Sequence, residues 1–321
     1  MKRRWQSRRG RGFTLVEVMV GMIVLASILL ILTAGERWLV LSSTRTSRWL
    51  LARDRGRRVL AFVEPRVLNC GLGLSGCLGG GALQRALGRG MPGASRIASW
   101  SDSFRGVRIY KDAPTGPAPA TEEDGVTAGP VFCVLYTMPS GLVLRAPRGA
   151  TLEPGGRVDL GIICGDAGNS GFRSGRFQDL RSWGVLPMTG LPFYIASLSA
   201  RSAALRLADS APAPVELPEV GELYLLRCER FSVINGKFEF QGMEADWYPP
   251  NSYPREDGIL ALWAEWRSVE KCLDLWVLAS GGPSVFGGGR PAGWPEAAPW
   301  NDDFGRHELC VSRASWRLEN L

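Results

Sequence analysis

The sequence predicts an α+β fold, in which one long N-terminal hydrophobic α-helix packs on a large β-rich globular head. Three observations support this fold class. Residues 13–32 are apolar apart from a single acid, no proline occurs between Phe13 and Val63, and much of the rest consists of short apolar or alternating runs separated by Gly and Pro. With 321 residues, of which 45% are hydrophobic, the chain is long enough to bury a substantial core.

Residues 1–12 form a basic leader. They hold six of the 38 basic side chains of the chain: Lys2, Arg3, Arg4, Arg8, Arg9 and Arg11. Without this leader the chain has 32 basic and 31 acidic side chains, so it lacks the excess positive charge of a nucleic-acid-binding protein, and we expect no nucleic-acid partner. The leader instead predicts orientation, because positive charges before an apolar segment keep the N-terminus in the cytoplasm and place the chain after Leu32 outside.

The apolar run from Phe13 to Leu32 predicts a transmembrane helix. A helix of 20 residues spans roughly 30 Å, the thickness of the hydrocarbon core of a bilayer. Glu17 is the only ionisable side chain in this run. Because a carboxylate in lipid costs a few kcal/mol unless it is paired, Glu17 is a candidate functional residue.

The helix is predicted to continue through an amphipathic half, residues 33–63, so that it covers residues 13–63 in total. Apolar residues such as Trp38, Trp49 and Val59 are interleaved there with arginines, and Pro65 is the predicted stop. One face of this half should pack on the head or on neighbouring helices. The chain has 34 arginines and four lysines, an excess that we interpret as base composition of the coding DNA and not as guanidinium chemistry.

The head, residues 64–321, is predicted to be rich in β-strands. Strands are expected at residues 106–110, 131–137, 142–146, 158–164, 223–227, 259–266 and 273–279. The pair Asn235-Gly236 lies between two apolar runs and predicts a type I′ turn in a β-hairpin over residues 231–240. Glycines at 71–90 and prolines at 112–119 and 211–218 predict loops.

Seven cysteines lie in the part of the chain predicted to be exported: Cys70, Cys77, Cys133, Cys164, Cys228, Cys272 and Cys310. An oxidising compartment permits disulfides, although an odd number leaves at least one thiol unpaired or bound to an external partner. Cys70 and Cys77 are the expected pair, because they are close in sequence within a glycine-rich stretch. The other pairings stay open.

The motifs of enzymes and cofactor sites are incomplete in this chain. The G-x-G-x-x-G pattern at residues 71–76 follows a helix and not a strand, which argues against nucleotide binding. Ser268 and Lys271 have the S-x-x-K spacing of penicillin-recognising enzymes without their companion motifs, and the single histidine, His307, leaves little for a catalytic triad. We therefore expect no cofactor and no enzymatic activity. Acidic loops at 121–125, 165–169 and 301–305 could offer oxygen ligands to Ca²⁺, but none has EF-hand spacing, and ordinary turn residues are the favoured interpretation.

The segment Gly12-Phe13-Thr14-Leu15-Val16-Glu17 closely resembles the signal of type IV pilins and pseudopilins. The resemblance rests on Gly, Phe, Thr-Leu and Glu in this order, together with the basic leader and the uninterrupted apolar helix. Residues 65–77 (PRVLNCGLGLSGC) and 312–321 (SRASWRLENL) are also similar to the PilW-like minor pilins. An ordinary secretory signal with cleavage near Thr33-Ala34-Gly35 is less favoured, because the apolar run is long and carries an acid near its start.

The resemblance implies a pilin-type helix, cleavage between Gly12 and Phe13 by a prepilin peptidase, and methylation of the new amine of Phe13. It also implies that Glu17 acts in assembly with other subunits and with an inner-membrane assembly platform. The large head favours a minor subunit at the tip of a pilus or in its priming. Two alternatives remain open: a minor pseudopilin of a type II secretion system, and a membrane-anchored exported enzyme or binding protein with no role in a fibre.

Overall fold

The computed structural model describes residues 14–75, 107–110, 131–176, 179–211, 213–242, 252–284 and 287–318. Among these residues, one long helix, α1, comes first at Leu15–Leu68, and the regular structure that follows it is mostly β-strand. The strands are β1 Val107–Tyr110, β2 Val131–Arg145, β3 Thr151–Leu152, β4 Arg157–Cys164, β5 Trp183–Val185, β6 Pro192–Leu198, β7 Ser202–Arg206, β8 Val215–Glu216, β9 Val220–Ile234, β10 Lys237–Gly242, β11 Ser252–Asp257, β12 Ile259–Arg267, β13 Cys272–Pro283 and β14 His307–Arg317. Short 3-10 helices lie at Leu180–Ser182 and Asp302–Arg306. The predicted α+β fold class, with a long helix followed by a strand-rich head, is confirmed.

Helix α1 ends five residues later than predicted. Pro65 was expected to stop it, but the helix continues to Leu68, and the N–H of Asn69 still bonds to the carbonyl of Pro65 at 3.3 Å. Proline removes only the donor that would reach Ala61, and Ala61 is exposed, so water can bond to that carbonyl. A proline in the last turn is therefore tolerated here.

The largest sheet closes on itself. Strands β2 and β9, each 15 residues long, pair with one another along most of their length. The C-terminal half of β2 and the N-terminal half of β9 are also connected through the strands β4, β7, β6 and β5. The order β2-β4-β7-β6-β5-β9 therefore closes into a ring of six strands. The interior of this ring is an apolar core that includes Leu135, Trp183, Phe193 and Leu226.

The N-terminal half of β2 and the C-terminal half of β9 extend beyond the ring. There β1 pairs with β2, and β10 pairs with β9 and is followed by β11. A separate three-stranded sheet, β12-β13-β14, lies opposite them. Helix α1 contributes Ala52, Val59, Val63 and Val67 to the core between these sheets, which also holds Phe231. The C-terminal half of α1 is thus attached to the head through apolar packing. A third apolar cluster, around Trp263, Trp276 and Trp294, also lies in the head.

The segments predicted as strands are strands, but in two places the prediction placed a break within a single long strand. Residues 131–137 and 142–146 form the single strand β2, because a register shift between Pro139 and Leu142 absorbs the extra residues, with Gly141 at φ 74°. Residues 223–227 and the start of the predicted hairpin likewise belong to β9. The hairpin itself is confirmed, with Asn235 at φ 50° and Gly236 at φ 74°, the positive values that a type I′ turn needs.

Candidate assembly site

The N-terminal half of α1 stands clear of the head. Every residue from Thr14 to Val40 is exposed, including Leu15 at 79% and Leu30 at 71%. In the part of the chain that the structure describes, α1 is the one helix long and apolar enough to cross a membrane, and none of its most apolar stretch is buried. Such an extended apolar surface needs a lipid or protein environment.

A reciprocal hydrogen-bonded ring marks the start of the helix. Thr14 is the N-cap, with extended backbone at φ −73° and ψ 151°. Its backbone N–H donates to Oε2 of Glu17 at 2.9 Å, and its hydroxyl donates to the same oxygen at 3.0 Å. The N–H of Glu17 donates in return to the hydroxyl oxygen of Thr14 at 3.3 Å. This is a capping box, which fixes the first helical residue at Leu15.

The two predicted processing residues, Gly12 and Phe13, lie outside the described residues. The structure therefore does not test their cleavage or the amine that cleavage would expose, and both stay predictions. What it adds is the immediate hydrogen-bonding environment of Glu17.

The C-terminal half of α1 approaches the head most closely at two glycines, one on the helix and one on β13. A Cβ on Gly56 would lie 2.9 Å from Cβ of Ser312 on β14. On Gly281 of β13 it would overlap the backbone carbonyl of Arg48 and lie 2.9 Å from its Cα. The β13 ladder changes register between Ser280 and Pro283, so Gly281 sits in an irregular part of the strand where the helix backbone comes closest.

Arginines of the helix bind the same end of the head. Arg48 donates to the carbonyl of Pro283, Arg55 donates to the carbonyl of Ser280 at 2.6 Å, and Arg45 lies 3.5 Å from the carboxylate of Glu308. The guanidinium groups thus hold backbone carbonyls and a buried acid. These contacts do not test why arginine outnumbers lysine in the chain, so the interpretation of that excess as base composition stays a prediction.

A second set of polar contacts lies near the C-terminal end of α1. Nε of Arg66 is 2.5 Å from Glu229 on β9, and the hydroxyl of Tyr136 donates to the other oxygen of that carboxylate at 2.8 Å. The guanidinium carbon of Arg66 also lies 3.8 Å from the ring centroid of Phe62. A basic residue in the last turn of a helix was a visible signal, but its acidic partner lies far away in the sequence.

The predicted disulfide between Cys70 and Cys77 is not tested, because Cys77 lies outside the described residues. Cys70 lies two residues after the end of the helix and is buried in the core between the sheets, and burial raises the pKa of its thiol. Cys164 is exposed and Cys272 is partly exposed. Disulfide formation in the head therefore stays a prediction.

The candidate enzyme motifs occupy structural positions. Ser268 and Lys271 lie in the turn between β12 and β13, not on a helix. Nδ1 of His307 is hydrogen-bonded to the hydroxyl of Ser280 at 2.9 Å.

The acidic loops show turn geometry where the structure describes them. Asp166 accepts bonds from the N–H of Gly168 and the amide of Asn169, and Asn301 caps the second 3-10 helix. Within the described ranges, no three His, Cys, Asp or Glu side chains form a group that could hold a metal ion. The loop at 121–125 lies outside those ranges, and Ca²⁺ binding stays untested.

Comparison with known proteins gives one match. Residues 7–33 match the family described as the prokaryotic N-terminal methylation motif. No curated protein and no solved structure matches the chain. The matched segment contains the predicted cleavage site, the capping box and most of the apolar half of α1. The chain therefore carries at its N-terminus the prepilin signal of the type IV pilins and pseudopilins.

Proposed function

We propose that this protein is a minor subunit of a type IV pilus, acting at the tip or in priming, and that it is assembled through α1. The observation that carries the proposal is the methylation motif at residues 7–33, which opens a helix whose apolar half is exposed along its whole length. Because the apolar N-terminal half of this helix is exposed and packs on no other described part of the chain, it is suited to lie first in lipid and then among other helices.

The proposed maturation creates a cation close to an acid. Cleavage after Gly12 frees the amine of Phe13. Because the pKa of such an amine is about 8, it is positively charged at neutral pH, and it keeps this charge after methylation. Glu17 lies one helical turn into the apolar segment. If the amine belongs to a neighbouring subunit, the ion pair forms only in the fibre, where it offsets the cost of a carboxylate in lipid and fixes the axial register.

The large head favours a minor position, because closely stacked helices leave limited lateral room for each head. A minor pseudopilin of a type II secretion system would use the same signal and helix, and the genes beside this one would separate the two. Similarity of residues 65–77 and 312–321 to the PilW-like minor pilins favours the pilus. A membrane-anchored enzyme or binding protein is the rival from another class, and the described residues offer no catalytic cluster that favours it.

The proposed topology has a cytoplasmic N-terminus, a single membrane span and a periplasmic head that later joins the fibre. The proposed partners are the prepilin peptidase, other subunits and the inner-membrane assembly platform. Ca²⁺ is a further candidate ligand through the acidic loops.

Mass spectrometry of the chain produced with a prepilin peptidase tests the proposal. The expected N-terminus is N-methyl-Phe13, whereas an N-terminus at Glu36 or an intact Met1 would contradict it. Glu17→Val should be processed but absent from sheared fibres, because it removes the acid without shortening the apolar helix. Normal incorporation of Glu17→Val would contradict the pairing.

A further inference from the structure

Strand β14 has a free edge. In the part of the chain that the structure describes, it pairs only with β13. The N–H of Leu318 donates to the carbonyl of Lys271 at 2.8 Å, in register with that ladder. Because hydrogen-bonded pairs alternate along an antiparallel ladder, the even-numbered residues of β14 bond to β13 and the odd-numbered residues direct their backbone groups away from it. Arg313, Ser315 and Arg317 are exposed, so their N–H and C=O groups are accessible to another strand.

A free edge of this kind is a template for strand addition. Proteins commonly protect such an edge with a bulge, a proline or charged side chains. The ladder has no register shift from Leu309 to Arg317, and β14 contains no proline. Charge is the remaining device, and its sign determines which partner the edge admits.

Arginines dominate the charge beside this edge. Asp274 of β13 is buried and binds two of them, Arg267 at 2.6 Å and Arg313 at 3.3 Å. Arg267 is also paired with Glu270 at 3.3 Å, whereas the side chain of Arg313 is still 55% exposed. Arg317 forms no ion pair with any described residue. Positive charge therefore remains along the C-terminal half of β14.

We propose that residues 311–317 of β14 bind an extended acidic segment of another protein, which adds to the three-stranded sheet as a fourth strand. The backbone of this segment bonds to the outward N–H and C=O groups. Acidic residues four positions apart in the segment lie opposite Arg313 and Arg317, with a small polar residue opposite Ser315.

A second copy of this chain is a poorer occupant of the edge. Pairing of two β14 strands centred on Ser315 would set Arg313 of one copy opposite Arg317 of the other. Like charges directly opposite one another destabilise a strand pair. The same arginines thus oppose self-association and favour an acidic partner.

The first test measures peptide binding to the full chain in detergent micelles by fluorescence anisotropy. The probe is the labelled peptide Thr-Val-Glu-Val-Thr-Val-Glu-Val-Thr, which has the proposed spacing of acids. The matched peptide with Lys at both Glu positions is expected to bind about tenfold more weakly. Equal affinity for the two peptides, or no binding of the acidic one, would overturn the proposal.

Variants of the edge separate backbone pairing from charge. Ser315→Pro removes one outward N–H and spares the bonds to β13, because proline is tolerated on an edge strand; it should bind the acidic peptide about tenfold more weakly. Ser315→Ala loses the same hydroxyl but keeps the N–H, so it should bind like the wild type. Arg317→Glu should weaken binding about fivefold, whereas Arg306→Glu, an exposed charge that precedes β14, should not. Wild-type affinity in both Ser315→Pro and Arg317→Glu would refute the proposal.

Hydrogen exchange with residue resolution locates the bound peptide. The amides of Arg313, Ser315 and Arg317 should exchange rapidly in the free chain and become protected by the acidic peptide. Protection confined to other parts of the chain would contradict the proposed surface. A concentration-dependent dimer of the wild type that Ser315→Pro abolishes would identify a second copy as the occupant, and it would likewise overturn the proposal.

Discussion

Replacing Gly281 by Ala should weaken the attachment of the head to the helix more than any comparable glycine change in a described strand. The added Cβ would overlap the backbone carbonyl of Arg48, and a helix backbone has no rotamer by which to move aside. Relieving the overlap requires moving the helix from β13. Overpacking of this kind costs about 1–3 kcal/mol.

The displacement also affects the polar contacts beside Gly281. Arg55 bonds to the carbonyl of Ser280 at 2.6 Å, and Arg48 bonds to the carbonyl of Pro283. Hydrogen bonds to charged groups contribute about 1.5–3 kcal/mol each, and weakening one of them brings the expected loss to roughly 3–5 kcal/mol. For a chain of this size each kcal/mol lowers Tm by about 2–4 °C, so we expect a decrease on the order of 10 °C.

The assay is thermal unfolding of the full chain in detergent, followed by near-ultraviolet circular dichroism. Gly161→Ala is the matched control, because Gly161 lies in β4 and a Cβ there would meet nothing within 4 Å. We expect the control to change Tm by about 2 °C or less. A Tm for Gly281→Ala within that range would refute the close approach of helix and strand on which the argument depends.

Three further predictions concern the charges and thiols of the head. Asp274 is buried, and burial alone would raise the pKa of its carboxyl. Hydrogen bonds from Ser315 and Arg313 and the charge of Arg267 nevertheless hold that pKa below its usual value. The ionised carboxylate therefore stabilises the folded state above about pH 4, and this contribution is lost as the pH falls through the folded pKa. Asp274→Asn should lower the free energy of unfolding at pH 7 by roughly 1–3 kcal/mol and flatten the acid limb of a Tm-against-pH curve, whereas a parallel curve would exclude this role. Arg66→Met should cost about 3 kcal/mol because it leaves the carboxylate of Glu229 buried without its cation, and the double variant with Glu229→Gln should recover part of that loss in urea unfolding; no recovery would mean that the two side chains are not coupled. Thiol labelling of the unfolded, unreduced chain should find fewer than seven reactive cysteines if the exported head forms a disulfide, and seven would exclude one.

Local signals in the sequence were sufficient for the helix and the hairpin, because each depends on residues that are neighbours in the chain. The closed ring of strands was not predictable in this way. It depends on the pairing of Leu142 with Leu223 and on the neighbouring pairs of β2 and β9, which join distant parts of the sequence. Strand β14 was missed for another reason: its buried face includes Glu308 and Ser312, so the apolar alternation of a half-buried strand is interrupted.

In the candidate site, too, features that depend on neighbouring residues were predictable and contacts between distant residues were not. Glu17 was found from the sequence, because an acid in an apolar run is costly wherever it lies. Its link to Thr14 was also visible as the T-x-x-E spacing of a capping box, but the apolar run directed attention to the membrane and not to the helix start. The contact between Gly281 and Arg48 could not be predicted, since it depends on which strand the helix packs against.

The length of the free part of α1 connects the two ends of the molecule. The first ion pair between helix and head is that of Arg45 with Glu308, so residues 15–44 precede it. At 1.5 Å per residue these extend about 45 Å, and the hydrocarbon core of a bilayer takes up about 30 Å of that length. On the proposed topology, Glu17 lies just inside the cytoplasmic face, and the first ion pair with the head lies roughly 15 Å beyond the opposite edge of the hydrocarbon. That distance exceeds the roughly 5–8 Å of the interfacial region on that side. The exposed pair Glu36 and Arg37 then falls at that edge, where charges are tolerated. The helix can therefore hold its acid in lipid without drawing the head into the membrane, which is the arrangement that the proposed subunit needs before it can leave the bilayer for a fibre.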